Sequence, residues 1–140
     1  MRTAGKTHEG RVALVTGAAQ GIGQAIAFSL AERGAQVLVT DLKMPKETIE
    51  KIGSLAQGIA LDVTSEEQWN KAFLKGREIG GVDIVVNNAA YFPNHLIDEL
   101  DLATWRKTLI TNLDSHFLSV KYFLPMMRRK KWGRDRKSVV

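Results

Sequence analysis

The sequence predicts an α/β fold in which helices cover both faces of a parallel sheet. Short apolar runs rich in β-branched residues recur along the chain, separated by segments whose apolar residues have helical spacing. A glycine-rich run, Thr16–Gly23 (TGAAQGIG), joins the first apolar run to the first helical pattern. Strands that alternate with helices of this length form βαβ units, so we expect a Rossmann-type doubly wound sheet.

Four apolar runs are predicted to be strands, and each is bounded by turn residues. These runs are Val12–Thr16, Gln36–Thr40, Gln57–Leu61 and Val82–Val86. Right-handed crossovers and short connections predict the strand order 3-2-1-4. The runs are apolar on both sides, as expected for strands covered by helices on both faces.

Three helical patterns lie between these strands, and their ends carry local signals. The patterns are Gly21–Arg33, Pro45–Gly53 and Ser65–Ile79. Gly34 follows the first pattern at a C-cap position, and Pro45 suits the first turn of the second. Ser65 precedes two glutamates, as an N-cap residue does, and Gly80-Gly81 ends the third pattern.

The chain after the fourth strand is predicted to be irregular as far as Ile97 and then helical. Helical periodicity runs from Asp98 to about Lys131, and we interpret it as two helices. The second helix carries an apolar face that includes Leu113 and Phe117, and Pro125 is predicted to bend it.

Composition indicates a globular domain or part of one, and it argues against several other classes of protein. The chain has 140 residues, 44% of them hydrophobic, no cysteine and a net charge of +5. Eight basic residues and one acid lie in Lys121–Lys137, so the charge belongs to one terminal stretch rather than to a nucleic-acid-binding face. No run is long enough for a transmembrane helix, and the three histidines lack metal-ligand spacing. We expect a cytoplasmic protein with no nucleic-acid, membrane or metal partner.

The glycine run has the features of a phosphate-binding turn. A strand leads into it and a helix leaves it, so backbone N–H groups and the positive end of the helix dipole face a ligand. Gly17 would allow the tight turn, Gly21 a close approach of the backbone to a pyrophosphate, and Gly23 close packing of helix on strand. Taken alone, the glycines would be equally consistent with an ordinary turn.

Polar residues follow the other strands, at the sheet edge where ligands of open α/β sheets bind. Asp41 follows the second strand, where an acid accepts hydrogen bonds from ribose hydroxyls and repels a 2′-phosphate, although a cap or turn role is the alternative. Asp62-Val63 follows the third strand, and Asn87-Asn88-Ala89-Ala90 follows the fourth. Taken alone, Asp62 is typical of a turn.

These motifs, in this order, resemble the short-chain dehydrogenase/reductase family. The resemblance runs from Gly10 to about Arg134, and it includes the family's T-G-x-x-x-G-x-G loop and its N-N-A-G motif, with Ala90 in the last place. It implies that Asn112 is the catalytic asparagine, which helps to hold a water between the catalytic lysine and solvent. Without the resemblance, Asn112 is typical of an ordinary asparagine at a helix start. The resemblance also implies a cofactor site made of Gly17, Gln20, Gly21, Ile22, Gly23, Asp41, Leu42, Asp62, Val63, Asn88, Ala89 and Ala90.

The same resemblance indicates that the chain is an N-terminal fragment. The family's catalytic serine and Tyr-x-x-x-Lys pair have no counterpart in the sequence, so we expect the chain alone to be inactive. We expect residues 1–134 to form a partial NAD(P)-binding domain whose sheet stops after the fourth strand and leaves that strand as an open edge. Residues 135–140 are interpreted as a non-native tail, because Asp135, Arg136 and Lys137 stand where the family continues into a buried apolar strand that would not tolerate charge. The tail would be encoded by a sequencing adapter, with a natural frameshift as the alternative.

The parent protein is predicted to be an NAD-dependent oxidoreductase. Hydride would pass between nicotinamide and a small alcohol, ketone or aldehyde. NAD is favoured over NADP because Asp41 is acidic and Gln20 and Leu42 are neutral, although Lys43 weighs against this preference. A 3-oxoacyl-carrier reductase and a non-catalytic dinucleotide-binding or interaction protein are the alternatives. Relatives usually assemble through the long helix near the end of this chain, so a homo-oligomer is expected.

Overall fold

A computed structural model describes residues 5–137 and contains one parallel sheet with helices on both faces. The strands are β1 (Val12–Val15), β2 (Gln36–Asp41), β3 (Ala56–Ala60), β4 (Ile84–Asn87) and β5 (Arg134–Lys137). The helices are α1 (Gly21–Glu32), α2 (Lys46–Ile52), α3 (Glu66–Glu78), α4 (Leu102–Leu109) and α5 (Ser115–Lys130). A 3₁₀ turn, Gly53–Leu55, follows α2, and a π-helical segment, Ile110–Asp114, joins α4 to α5.

The strand order is β3-β2-β1-β4-β5, and every pairing is parallel. This order confirms the doubly wound α/β prediction and the order 3-2-1-4 for the first four strands. In β1, Val15 pairs with Val39 on one side and with Val86 on the other. The chain therefore continues from β1 to β2 on one side of β1, and later adds β4 on the opposite side of β1. This reversal opens a crevice beyond the carboxyl ends of β1 and β4.

Each face of the sheet is covered because successive strand residues point to opposite sides. Leu14, Leu38 and Val85 pack on one face with Trp69 and Phe123, which come from α3 and α5. The opposite face buries a second set of side chains, supplied by the alternate strand positions and by α1: Ala13, Val15, Val37, Val39 and Ala27.

The predicted helix ends are confirmed by backbone geometry and capping. The Ser65 hydroxyl accepts a hydrogen bond from the Gln68 backbone N–H at 3.3 Å. Gly34 has φ +93° directly after the C-cap residue of α1, and Gly81, after α3, has φ +85°. Residues other than glycine rarely adopt a positive backbone φ, which explains why glycine occupies both positions.

The predicted pair of C-terminal helices forms one nearly continuous helical segment. Asp101 caps its start and accepts a hydrogen bond from the Thr104 backbone N–H at 2.7 Å. That backbone hydrogen bond lowers the pKa of Asp101 from its ordinary value. The π-helical segment between α4 and α5 was not predicted, because one wider turn leaves the apolar periodicity almost unchanged.

The expectation that the sheet ends after its fourth strand is wrong, because β5 pairs with β4. Residues 134–137 continue the sheet across the predicted domain boundary, so β4 is not an open edge. The prediction assumed a strand buried on both faces, whereas β5 lies at the sheet edge of the part of the chain that the structure describes. At that edge Arg134, Arg136 and Lys137 are exposed to solvent, where charged side chains carry little penalty. Ser138–Val140 of the predicted tail lie outside the described residues, and the origin of the tail stays a prediction.

Asp135 is the half-buried member of β5, and its carboxylate joins the strand to two other elements. Its Oδ1 accepts a hydrogen bond from Asn87 Nδ2 in β4 at 2.9 Å. Its Oδ2 lies 2.7 Å from Nε2 of His116 in α5. An acid that seemed incompatible with the sheet therefore fixes the edge strand in place.

We predict that Asp135→Ala loosens β5. Removing the carboxylate deletes both contacts, and a lost charge-assisted hydrogen bond at a partly exposed site costs about 1 kcal/mol. Amide hydrogen exchange in residues 134–137 should quicken by about tenfold, while exchange in β1 and β2 stays unchanged. Arg136→Ala, which removes an exposed side chain from the same strand, is the control. Equal exchange rates in both variants would show that Asp135 does not hold the strand.

Candidate functional site

A cavity opens beyond the carboxyl ends of the strands. Its volume, about 1080 Å³, lies at the upper end of the range for small-molecule sites. Its walls come from the glycine turn, from the ends of β2, β3 and β4, and from α4. Of the twelve predicted cofactor residues, eleven line this cavity: Gly17, Gln20, Gly21, Ile22, Asp41, Leu42, Asp62, Val63, Asn88, Ala89 and Ala90. The twelfth, Gly23, lies beneath the turn.

The three glycines of the turn occupy different environments. A Cβ at Gly23 would lie 2.2 Å from the Gly17 carbonyl oxygen and 2.4 Å from Asn88 Nδ2, so α1 could not pack this closely on the turn. Gly17 has φ +62°, and a Cβ there would lie 2.9 Å from the Ala89 Cα. Gly21 has φ +60° but faces open space, with nothing within 4 Å of its Cβ position. A ligand can therefore approach the backbone at Gly21.

The first turn of α1 presents backbone N–H groups beside the cavity. Gln20, the N-cap residue, has extended backbone and makes no side-chain cap. The first four N–H groups of an α-helix have no partner within the helix, and the helix dipole adds positive potential there. Gly21 and Ile22 belong to this turn and line the cavity. The arrangement suits a phosphate group.

Asn88 joins the glycine turn to the end of β4. Its Nδ2 donates hydrogen bonds to the carbonyl oxygens of Thr16 and Gly17, each at 3.0 Å. The Thr16 hydroxyl oxygen in turn accepts hydrogen bonds from the backbone N–H groups of Asn88 and Ala89, also at 3.0 Å. These four hydrogen bonds hold together the two segments between which the cavity opens.

The carboxylate of Asp41 is fixed on the cavity wall at the end of β2. Its Oδ2 accepts from the Ala19 backbone N–H at 2.9 Å, and its Oδ1 accepts from the Leu42 backbone N–H at 2.8 Å. Each carboxylate oxygen can accept a further hydrogen bond, such as one from a ribose hydroxyl.

Asp62 forms a turn, which is the role that its sequence position alone indicates, and it also lines the cavity. Its Oδ1 accepts from the backbone N–H of Thr64 at 2.9 Å and from the Thr64 hydroxyl at 2.7 Å. These two bonds form the turn that leads from β3 into α3. The same turn brings Asp62 and Val63 to the cavity wall.

Asn112 lies in the π-helical segment and anchors the chain that follows β4. Its Oδ1 accepts from the Tyr91 backbone N–H at 2.8 Å, and its Nδ2 donates to the Tyr91 carbonyl at 2.9 Å. Asn112 does not belong to the cavity lining, although its neighbour Thr111 does. The catalytic role implied by the family resemblance stays a prediction.

Residues of α4 and of the segment before it complete the cavity, and the sequence analysis missed them. Tyr91 and Phe92 line the cavity, and Lys107 Nζ lies 4.1 Å from the Tyr91 ring centroid. Lining residues from α4 and from the π-helical segment after it recur at helical spacing: Ala103, Arg106, Lys107, Ile110 and Thr111. That spacing was the available signal, but nothing in the sequence shows which helix face meets the sheet edge.

Comparison with known proteins assigns the chain to a family. Residues 11–134 match the family model for short chain dehydrogenases. The chain belongs to the short-chain dehydrogenase family. It is 43% identical over 130 residues to the 3-oxoacyl-[acyl-carrier-protein] reductase FabG of Vibrio cholerae, covering 90% of this chain and 53% of the relative. It is 37% identical over 133 residues to the Aquifex aeolicus FabG, covering 90% of this chain and 54% of the relative.

A solved structure shares the fold of this chain. It is described as an NAD(P)-dependent gluconate 5-dehydrogenase from Beutenbergia cavernae with NADP bound at low occupancy. The TM-score is 0.86 at 32% sequence identity, over 94% of this chain and 55% of that one. The chain thus spans about half the length of the relatives that it matches.

Two kinds of feature are absent from residues 5–137. No helix in this range is long and apolar enough to cross a membrane. The same residues include no group of three or more His, Cys, Asp or Glu side chains placed to hold a metal ion.

We predict that Gly23→Ala destabilises the domain more than Gly21→Ala does. The new methyl group at position 23 meets backbone, and such overpacking costs about 3 kcal/mol. At position 21 space is open, so the cost is the left-handed backbone alone, about 1 kcal/mol. Urea unfolding of the two variants measures the difference. Equal losses would mean that α1 does not pack on the Gly17 carbonyl as described.

Proposed function

We propose that this chain forms the dinucleotide-binding half of an NAD-dependent oxidoreductase. The whole protein would transfer hydride between nicotinamide and a small alcohol, ketone or aldehyde. The observation that carries the proposal is that the open backbone at Gly21, the N-terminus of α1 and the Asp41 carboxylate face one cavity. Membership of a family of dehydrogenases supports the reaction class.

The residues present suit the pieces of a dinucleotide. The pyrophosphate would bind at Gly21 and Ile22, where helix N–H groups meet open space. The adenine ribose would bind at Asp41, and the adenine would lie beside Asp62 and Val63 at the end of β3. When bound, the nicotinamide supplies the hydride acceptor or donor.

The preference for NAD over NADP rests on Asp41. A 2′-phosphate at the adenine ribose would place negative charge beside this carboxylate, whose backbone hydrogen bonds hold it in position. The neighbouring cavity residues Gln20 and Leu42 carry no charge to offset it. Lys43, the cation nearest in sequence, is exposed and does not belong to the cavity lining.

Catalysis would need groups beyond this chain's own residues. In the family a tyrosine acts as general acid and base, a lysine lowers the pKa of that tyrosine, and a serine positions the carbonyl. The 140-residue sequence has no Tyr-x-x-x-Lys, so we propose that it binds dinucleotide without turnover. Asn112, held by Tyr91, would contribute to a water site in the whole enzyme.

A second candidate substrate is a 3-oxoacyl group on a carrier protein. The relatives reported above support it, since reductases of this class share 37% and 43% identity with the chain. Such substrates would enter the same cavity from the side of Tyr91 and Phe92. A non-catalytic dinucleotide-binding protein is the remaining alternative.

Homo-oligomer formation is proposed from the exposed apolar face of the C-terminal helical segment. Five large apolar side chains share this face, each at least 44% exposed except Leu109 at 36%: Leu102, Trp105, Leu109, Leu113 and Phe117. Their spacing gives one stripe along α4, the π-helical segment and the start of α5. An exposed stripe of this size is typical of a protein interface.

We predict that Asp41→Arg reverses the cofactor preference. The substitution removes the negative charge beside a 2′-phosphate and adds a cation that pairs with it. The ratio of NADPH to NADH affinity should rise by about 100-fold, as expected for exchanging a like charge for an opposite one. Fluorescence titration of reduced cofactor measures both affinities. Glu50→Arg makes the same charge change on the exposed side of α2 and should leave the ratio unaltered. An unchanged ratio in Asp41→Arg would remove Asp41 from the ribose site.

A further inference from the structure

Thr48 is a fully buried polar residue that does not belong to the cavity lining. It lies in α2 with none of its surface exposed. Its hydroxyl donates a hydrogen bond to the Ala18 carbonyl oxygen at 2.9 Å. The same hydroxyl oxygen accepts a hydrogen bond from Gln24 Nε2 in α1, also at 2.9 Å. One side chain therefore connects α2, α1 and the glycine turn.

Gln24 extends this connection to the next peptide of the turn. Its Nε2 also donates to the Ala19 carbonyl oxygen, at 3.1 Å. The Ala18 backbone N–H donates to the Thr40 carbonyl at 2.9 Å. The two residues between Gly17 and Gln20 are thus held by Thr48, Gln24 and Thr40, none of which belongs to the cavity lining.

The peptide unit between Ala18 and Ala19 links Thr48 directly to Asp41. Its carbonyl accepts from the Thr48 hydroxyl, and its N–H donates to Asp41 Oδ2. A peptide group is planar and rigid, so its two ends cannot move independently. Thr48 and Asp41 therefore hold the two ends of one rigid peptide group.

The next peptide unit, between Ala19 and Gln20, is held by Gln24. The Ala19 carbonyl points towards Gln24, and no peptide bond in residues 5–137 is cis. In a trans peptide the N–H points away from the carbonyl, so the Gln20 N–H points away from Gln24. Gln20 lines the cavity.

We propose that Thr48, together with Gln24, is a positioning residue for dinucleotide binding. Thr48 acts through the Ala18–Ala19 peptide on Asp41, and Gln24 acts through the Ala19–Gln20 peptide on the start of α1. The pair sets the distance between the ribose acceptor and the pyrophosphate donors before a ligand arrives, so binding requires no rearrangement of the turn. This inference rests on the proposed dinucleotide site.

The test compares NADH and NADPH binding by the full 140-residue chain and its variants in fluorescence titrations. Thr48→Val replaces the hydroxyl by a methyl group of similar size and leaves the buried Ala18 carbonyl without its partner. NADH affinity should fall by about tenfold, and the NADH to NADPH preference should shrink because Asp41 loses its fixed position. Thr48→Ser keeps the hydroxyl and should restore both values. Gln24→Met, at a partly exposed position, should lower NADH affinity without unfolding the chain.

Ser119→Ala is the matched structural control. The Ser119 hydroxyl is also buried and donates to a backbone carbonyl, that of His116 at 2.8 Å, but it lies in α5 away from the turn. It should lower the melting temperature as Thr48→Val does, yet leave NADH affinity and cofactor preference unchanged. If Thr48→Val and Gln24→Met also leave both values unchanged, the inference is wrong. If the unmodified chain itself fails to bind NADH, the proposed function is wrong.

Discussion

The hydrogen bonds from Asn88 to the carbonyl groups of Thr16 and Gly17 are the interaction on which the site depends. They join the turn after β1 to the end of β4, at the point where the strand order reverses. Gly23 packs against the same carbonyl and the same amide, closer than any side chain would permit. With these segments joined, the N-terminus of α1 must face the crevice and the cavity takes its shape.

Around this junction, three neighbouring elements each contribute a side chain that is held by hydrogen bonds to backbone. From β2 comes Asp41, held by backbone N–H groups, and from α2 comes Thr48, which holds the turn from behind. The chain after β4 is anchored by Asn112 through both backbone groups of Tyr91. Asn88, Thr48 and Asn112 thus hold backbone in place around the cavity, while the Asp41 carboxylate and the first turn of α1 form part of its wall.

Much of the fold and of the cavity lining could be predicted from sequence because local chemistry determines both. Apolar runs, glycine positions and the cap at Ser65 act over a few residues, and parallel strands bring their carboxyl ends together. Thr48 could not be found this way, because its partners come from the turn and from α1 and no periodicity marks them. The fifth strand was missed because its charged side chains were assessed as those of a buried strand. Asp135 finds partners in β4 and α5 that only tertiary structure supplies.

Under the proposed function, the first turn of α1 and the end of β2 form one dinucleotide site. Titration of the ¹⁵N-labelled chain with ADP tests it most directly, because each backbone amide reports its own surroundings. A dinucleotide site at these positions predicts saturable shifts centred on Gly21, Ile22, Asp41 and Asp62, with little change in β5 or in the basic end of α5. Shifts centred on the basic residues 128–137, or no saturable shift at all, would contradict it.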